Sequence, residues 1–143
     1  MRIILLPTHG GNFGPLAAAL AKLEDSERAR VVALTDLAVL FEIARIGERE
    51  FGVPLGEGGL HAGEWETSLM LAIHPELVDM EQSRPGFTGN MEEAVGGMFA
   101  GGVAAISANG TIGDPARSTY EHGERYWASV VDLVLEQIED SRA

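Results

Sequence analysis

The chain has no cysteine among its 143 residues. That excludes disulfides, thiolate metal sites and a cysteine nucleophile, and it suits a reducing compartment such as the cytoplasm. Basic residues are scarce: 10 Lys and Arg stand against 22 Asp and Glu, a net charge of −12. A nucleic-acid backbone or an anionic membrane rewards a basic surface, so neither is expected as a partner. Long apolar runs are also missing. The opening MRIILLPTHGGN offers a run of four apolar residues, Ile3 to Leu6, before Pro7, too few for a secretory signal, and no stretch reaches the length of a membrane span. Internal repeats, low-complexity tracts and linkers are absent as well. What is present is 45% hydrophobic residues, enough for an ordinary core, so one soluble acidic domain over residues 1–143 is expected.

Ile3 to Leu6 is a β-branched apolar run stopped by Pro7 and reads as a buried parallel strand, apolar on both faces. A turn over Thr8 to Asn12 leads to a helix from Pro15 to Leu23, closed by the charged patch Glu24 to Arg30. Val31 to Leu34 reads as a second strand, and Thr35-Asp36 caps a helix over Leu37 to Arg45. Strand, helix, strand, helix at this spacing predicts an α/β sheet. Gly47 to Gly63 holds six glycines and Pro54 without a hydrophobic period, and reads as a long loop. Glu64 to Ile73 is helical, and Pro75 ends it. Met80 to Asn90 is irregular, and Met91 to Phe99 is either a short helix or a glycine-broken loop. Val103 to Ser107 is weakly strand-like, and Asn109 to Pro115 is a turn. Ser118 with Glu121 matches a capping box opening the last helix, which runs to about Glu139 with Tyr126, Val130, Leu133, Val134 and Ile138 on one side.

Two segments could carry chemistry. Thr8-His9-Gly10-Gly11-Asn12 lies where a strand end meets a helix start, the usual ligand crevice of an open α/β sheet. Gly10 and Gly11 let the backbone approach a ligand, and with Asn12 they are candidate substrate contacts. His9 is either a metal ligand or proton carrier, or a residue that caps the turn. The second segment is His61-Ala62-Gly63-Glu64-Trp65-Glu66-Thr67-Ser68. Glu64 and Glu66 fall in a helix first turn, where the dipole favours them in any case. They diverge by about 200° around the axis, so one faces a site while the other faces solvent. Trp65 is a core residue more often than a substrate platform. His74, at a helix end, and Asp114, before Pro115, read as structural, and His122 reads as exposed.

At these residues the chain resembles the creatininase family of amidohydrolases. Ile3 to Asn12 is similar to the family's strand ending in an N-G-H-G-G-N type turn, with Pro7-Thr8 in place of Asn-Gly. HAGEWETSLML, His61 to Leu71, resembles its H-A-G-x-x-E-T-S-L-M-L block, and Pro75 to Val78 continues it. NGTIGDP, Asn109 to Pro115, resembles its N-G-x-x-G-D-P turn. The resemblance implies a three-layer α/β/α sandwich with a mainly parallel sheet, truncated at its N-terminus. It also implies one or two divalent metals (zinc, manganese or iron) and hydrolysis of a C–N amide bond in a small molecule. By the same resemblance His9 is the metal-binding histidine. His61 is the active-site histidine that contacts substrate or moves a proton to the leaving nitrogen. Glu66 is an extra carboxylate near the metals, and Trp65 a substrate contact. The family's Glu-x-His pair and bridging Asp, expected upstream of the histidine turn, are not among these residues. Upstream sequence or another chain is expected to supply them; the alternative is a non-catalytic domain that binds a small molecule or a family subunit. An uncovered Ile3–Leu6 strand also predicts a homo-oligomer.

Overall fold

The computed structural model describes residues 2–36 and 38–140. They form two compact units, Met1–Phe41 with Val131–Ala143, and Glu42–Val130. In the first, β1 (Ile3–Leu5) pairs in parallel with β2 (Val31–Ala33), Ile4 standing opposite Val32. The bond from Ile3 N–H to Arg30 O (2.8 Å) and that from Leu34 N–H to Leu5 O (3.1 Å) close the pair at its two ends. The crossover holds a 3-10 turn, Gly10–Asn12, then α1 (Phe13–Leu20) and α2 (Asp25–Arg28). Phe13, Leu20 and Leu34 are buried in this unit. This is a mixed α/β arrangement with a small parallel sheet.

The charged patch after α1 does not close that helix. It forms a turn of its own, because the Glu27 carboxylate turns back to accept the Glu24 N–H (3.1 Å) and starts a new helix there. β1 is also not buried as its composition predicts. Ile3 is 42% exposed and Ile4 46%, on opposite faces of the strand, and Leu6 is 47% exposed. A strand with one hydrogen-bonded neighbour among the described residues belongs to a sheet too small to hide them, whatever its sequence.

Helix α3 (Ala38–Ile46), which belongs to the second unit from Glu42 onward, runs on into a π-helical turn, Gly47–Phe51, that ends at Gly52 in the left-handed region. Leu37, the expected first residue of α3, lies outside the described residues. After α4 (Leu55–Gly58) come α5 (Glu64–Ile73), α6 (Met91–Gly101) and α7 (Tyr120–Asp140), whose residues from Val131 onward belong to the first unit. The glycine-rich stretch 47–63 is therefore less of a loop than its composition suggests, because several of its glycines serve close packing. A Cβ on Gly47 would stand 2.3 Å from the Tyr126 hydroxyl, and one on Gly59, at φ +72°, would stand 2.0 Å from Ile112 O. Likewise Gly123 lets α7 settle on α5, since a Cβ there would meet Ser68 O at 1.9 Å. Residues 91–101 are helical, with Asn90 Oδ1 accepting the Glu93 N–H (3.0 Å). Val103–Ala105 is a 3-10 turn, not a strand; it follows Gly102 at φ +77°, and the Ser107 N–H bonds back to Val103 O.

The last helix is capped one residue later than the sequence pattern suggests. Thr119 Oγ1 accepts the His122 N–H (3.1 Å), while the Ser118 hydroxyl donates to Glu64 O (3.0 Å). Asp114 accepts the Ala116 N–H (2.9 Å) and caps the 3-10 turn Pro115–Arg117, the structural role expected of it. Among the described residues no helix is long and apolar enough to cross a membrane.

Candidate active site

His61 is fixed through its backbone. Its N–H donates to Ile112 O (3.2 Å) and its carbonyl accepts the Ile112 N–H (2.8 Å), an antiparallel bridge reinforced by Leu60 N–H to the same Ile112 O. Ile112 is fully buried, so this anchor is rigid. The next residue, Ala62, has φ +52°, and it is alone among the described non-glycine residues in the left-handed region. Such a conformation costs an L-residue about 1–2 kcal/mol, and strain of this kind collects at functional sites. The Ala62 N–H donates to Glu66 Oε2 (2.6 Å), a carboxylate reaching back from the first turn of α5. Trp65 is buried, its Nε1 donating to Gly59 O (3.0 Å), so its indole forms part of the unit's core.

The carboxylate that lies deepest is Glu64, with no solvent exposure. Its Oε1 accepts from Ser68 Oγ (2.9 Å) and pairs with His122 Nδ1 (2.7 Å), and its Oε2 accepts from the Tyr126 hydroxyl (2.6 Å). Three donors around one buried carboxylate satisfy it, and no buried side-chain polar atom among the described residues lacks a partner. The His122 ring stacks on Phe51 at 3.8 Å and 10°, and Phe51 meets Tyr126 edge-on at 5.6 Å. Burial, and then the hydrogen bond to Glu64, push the Tyr126 phenol above its ordinary range. His122 is thus only partly exposed, contrary to its reading as a surface residue; its Nδ1 pairs with the buried Glu64 carboxyl group at 2.7 Å, which holds the imidazole inward. Outside this cluster Arg125 grips Glu50 through two bonds of 2.6 Å, which holds the Glu50 carboxyl below the usual range. Arg117 binds the carbonyls of Phe51 (2.9 Å) and Gly52 (2.8 Å) and ties down the π-helical turn.

Sequence reasoning selected Glu66 and passed over Glu64, whose placement at a helix N-terminus had a sufficient dipole explanation. A signal was available. Glu64 and Ser68 on α5, and His122 and Tyr126 on α7, are two polar i,i+4 pairs, each lining one face of its helix.

In the other unit His9 is exposed, and its Nδ1 accepts the Gly11 N–H (3.1 Å), capping the 3-10 turn. The Nδ1 lone pair is thereby committed, so the neutral ring carries its proton on Nε2. Gly10 is half-buried, Gly11 and Asn12 are exposed, and the Asn12 N–H donates to His9 O (2.9 Å). His74 is exposed at the end of α5 and pairs with Glu76 (3.0 Å). Among the described residues no three His, Asp or Glu side chains are grouped so as to hold a metal ion. The residues present therefore do not by themselves make a catalytic metal site, which takes about three protein ligands.

With this geometry in place, the comparisons assign a class. The creatinine amidohydrolase family model matches residues 1–138, and the chain belongs to the creatininase family. Its relatives include the mycofactocin precursor peptide peptidase of Mycolicibacterium smegmatis (strain ATCC 700084 / mc(2)155), 34% identical over 96% of this chain and 48% of that protein. Proteins of the same name from Mycobacterium ulcerans (strain Agy99) and Mycobacterium tuberculosis (strain CDC 1551 / Oshkosh) are 31% and 32% identical, over 96% of this chain and 48% and 47% of their own lengths. The chain thus spans about half the length of the curated relatives it matches. No solved structure matches it.

Proposed function

We propose that the chain is the His61-bearing part of a metal-dependent amidohydrolase that cleaves a C–N amide bond in a small molecule or short peptide. One observation carries the reading: His61 is held rigidly on both sides, by the Ile112 bridge and by a left-handed Ala62. Family membership and the relatives' name as peptidases support the reaction class. In this reading His61 contacts the substrate and passes a proton to the leaving nitrogen. Glu66 stands beside it. Gly10, Gly11, Asn12 and Trp65 are the proposed substrate contacts. A divalent metal (zinc, manganese or iron) would supply the activated water and polarise the carbonyl. His9 would contribute one ligand once its ring leaves the Gly11 N–H, and residues from outside this chain would contribute the rest. The three-layer α/β/α sandwich belongs to that completed assembly, and the cysteine-free composition suits the cytoplasm.

The exposed apolar faces of β1 favour self-association, and the expected state is a homodimer or larger. Light scattering at micromolar concentration should give at least twice the monomer mass; a monomer contradicts this part. Metal dependence is tested by elemental mass spectrometry of the chain purified without chelator or added metal. One or two divalent ions per chain would mean that the site is completed by residues beyond those grouped here. Absence of both metal and hydrolysis in a folded chain would favour the second reading, a non-catalytic small-molecule-binding or subunit-interaction domain. Two observations keep that reading in view, the capping role of His9 and the lack of a three-ligand group among the described residues.

A further inference from the structure

The geometry points to Glu66 as a positioning residue for His61 that acts through the Ala62 backbone and not as an acid, base or metal ligand. This rests on His61 being the working histidine. In a capping box the third residue of a helix accepts the N–H of the residue just before the helix. Here that residue is Gly63, the N-cap of α5. The carboxylate reaches one residue further and takes the N–H of Ala62 at 2.6 Å. Ala62 is the residue that needs such help, since its φ of +52° is unfavourable for any side chain. Thr67 Oγ1 adds a weak contact to the Ala62 carbonyl (3.5 Å). Gly63 then turns tightly against α4, where a Cβ would stand 2.2 Å from Gly58 O.

The consequence falls on His61. The Ile112 bridge fixes its two backbone polar groups, and the direction in which the chain leaves it depends on Ala62 staying left-handed. Without the Glu66 acceptor, Ala62 relaxes toward φ < 0 and the start of α5 shifts against the bridged His61, so the imidazole loses its placement relative to the groups that follow it. Misplacement of a catalytic group by about 1 Å costs turnover on the order of a hundredfold. A glutamine at 66 still presents a carbonyl oxygen to the Ala62 N–H, and a glycine at 62 holds the left-handed conformation with no acceptor.

Four variants of the full chain test this: Glu66→Ala, Glu66→Gln, Ala62→Gly, and Ala62→Gly with Glu66→Ala. Two readouts are followed, the His61 imidazole 1H–15N resonances and amide hydrolysis in the presence of divalent metal. Glu66→Ala should shift or split the His61 resonances and lower turnover about a hundredfold. Glu66→Gln and the double variant should return both toward the wild-type chain. If Glu66→Gln is as damaging as Glu66→Ala, the charge itself does the work and the proposal fails. Wild-type His61 resonances in Glu66→Ala also overturn it. If no chain hydrolyses amides yet the resonances follow the predicted pattern, the hydrolase reading falls and the positioning role stands.

Discussion

Replacing Glu64 with alanine is expected to destabilise the chain by about 3–5 kcal/mol, the range for removing one partner of a buried charged network. The loss has identifiable parts. The Tyr126 and Ser68 hydroxyls donate to the Glu64 carboxyl group, which is fully buried, and His122 Nδ1 pairs with it at 2.7 Å. Alanine leaves these groups facing a void, and each unsatisfied buried donor costs about 1–3 kcal/mol unless it finds another acceptor. The same cluster joins α5 to the start of α7, so the damage should appear as a lower urea midpoint for the whole second unit. Glu64→Gln keeps one acceptor oxygen and should lose less. An unfolding midpoint unchanged in Glu64→Ala would mean that the cluster contributes nothing.

The cluster also predicts a sign at alkaline pH. The Tyr126 phenol has its ionisation pushed up in the folded chain, chiefly by burial and then by Glu64, relative to an ordinary value of 10.0. A group raised on folding contributes stability that is complete below its unfolded value and is lost as pH rises toward the folded one. Above about pH 10 the Tyr126 contribution to the unfolding free energy should therefore fall by about 1 kcal/mol per pH unit. Tyr120, the other tyrosine, is raised as well, first by its hydrogen bond to Glu124. Tyr126→Phe separates the two: part of the alkaline slope should vanish in it, at the cost of a Glu64 oxygen left one donor short.

The second large effect concerns His61. His61→Ala should lower amide hydrolysis by about 10²–10⁴-fold, the usual worth of a positioned proton-transfer group. The fold should tolerate it, because the side chain is only half-buried and the bonds to Ile112 are made by the His61 backbone. Stability should change by about 1 kcal/mol or less. A variant that loses activity by unfolding would be seen in circular dichroism, and that result would carry no support for a catalytic role.

The helix 64–73 and the parallel strand pair were legible in the sequence, because a 3.6-residue period and two short β-branched runs are local signals. Burial was not. Ile3 and Ile4 have the composition of a covered strand, and only the number of neighbours decides whether such a strand is covered. The glycines of 47–63 read as looseness, yet Gly47 and Gly59 are places where a hydroxyl and a carbonyl approach too closely for a side chain. Glu64 and Glu66 were separable by angle but not by role. Choosing between them needs α7, which brings His122 and Tyr126 to Glu64 from about sixty residues away along the chain. His9 kept two readings on sequence alone, and the Gly11 N–H shows that it caps its turn. The histidine block itself was legible as a family motif; its left-handed Ala62 was not, since nothing in the residue type announces it.

The account stands or falls on whether His61 belongs to a working amide-cleaving site. The direct measurement is the rate of amine release from a panel of small amides and short peptides. The wild-type chain and His61→Ala would be run side by side, in the oligomeric state in which they purify, with zinc, manganese or iron supplied. The account predicts hydrolysis by the wild-type chain, with at least one of these metals, once upstream sequence or a partner chain supplies the remaining ligands, and its loss in a folded His61→Ala variant assayed in the same way. Equal rates in the two chains would contradict it.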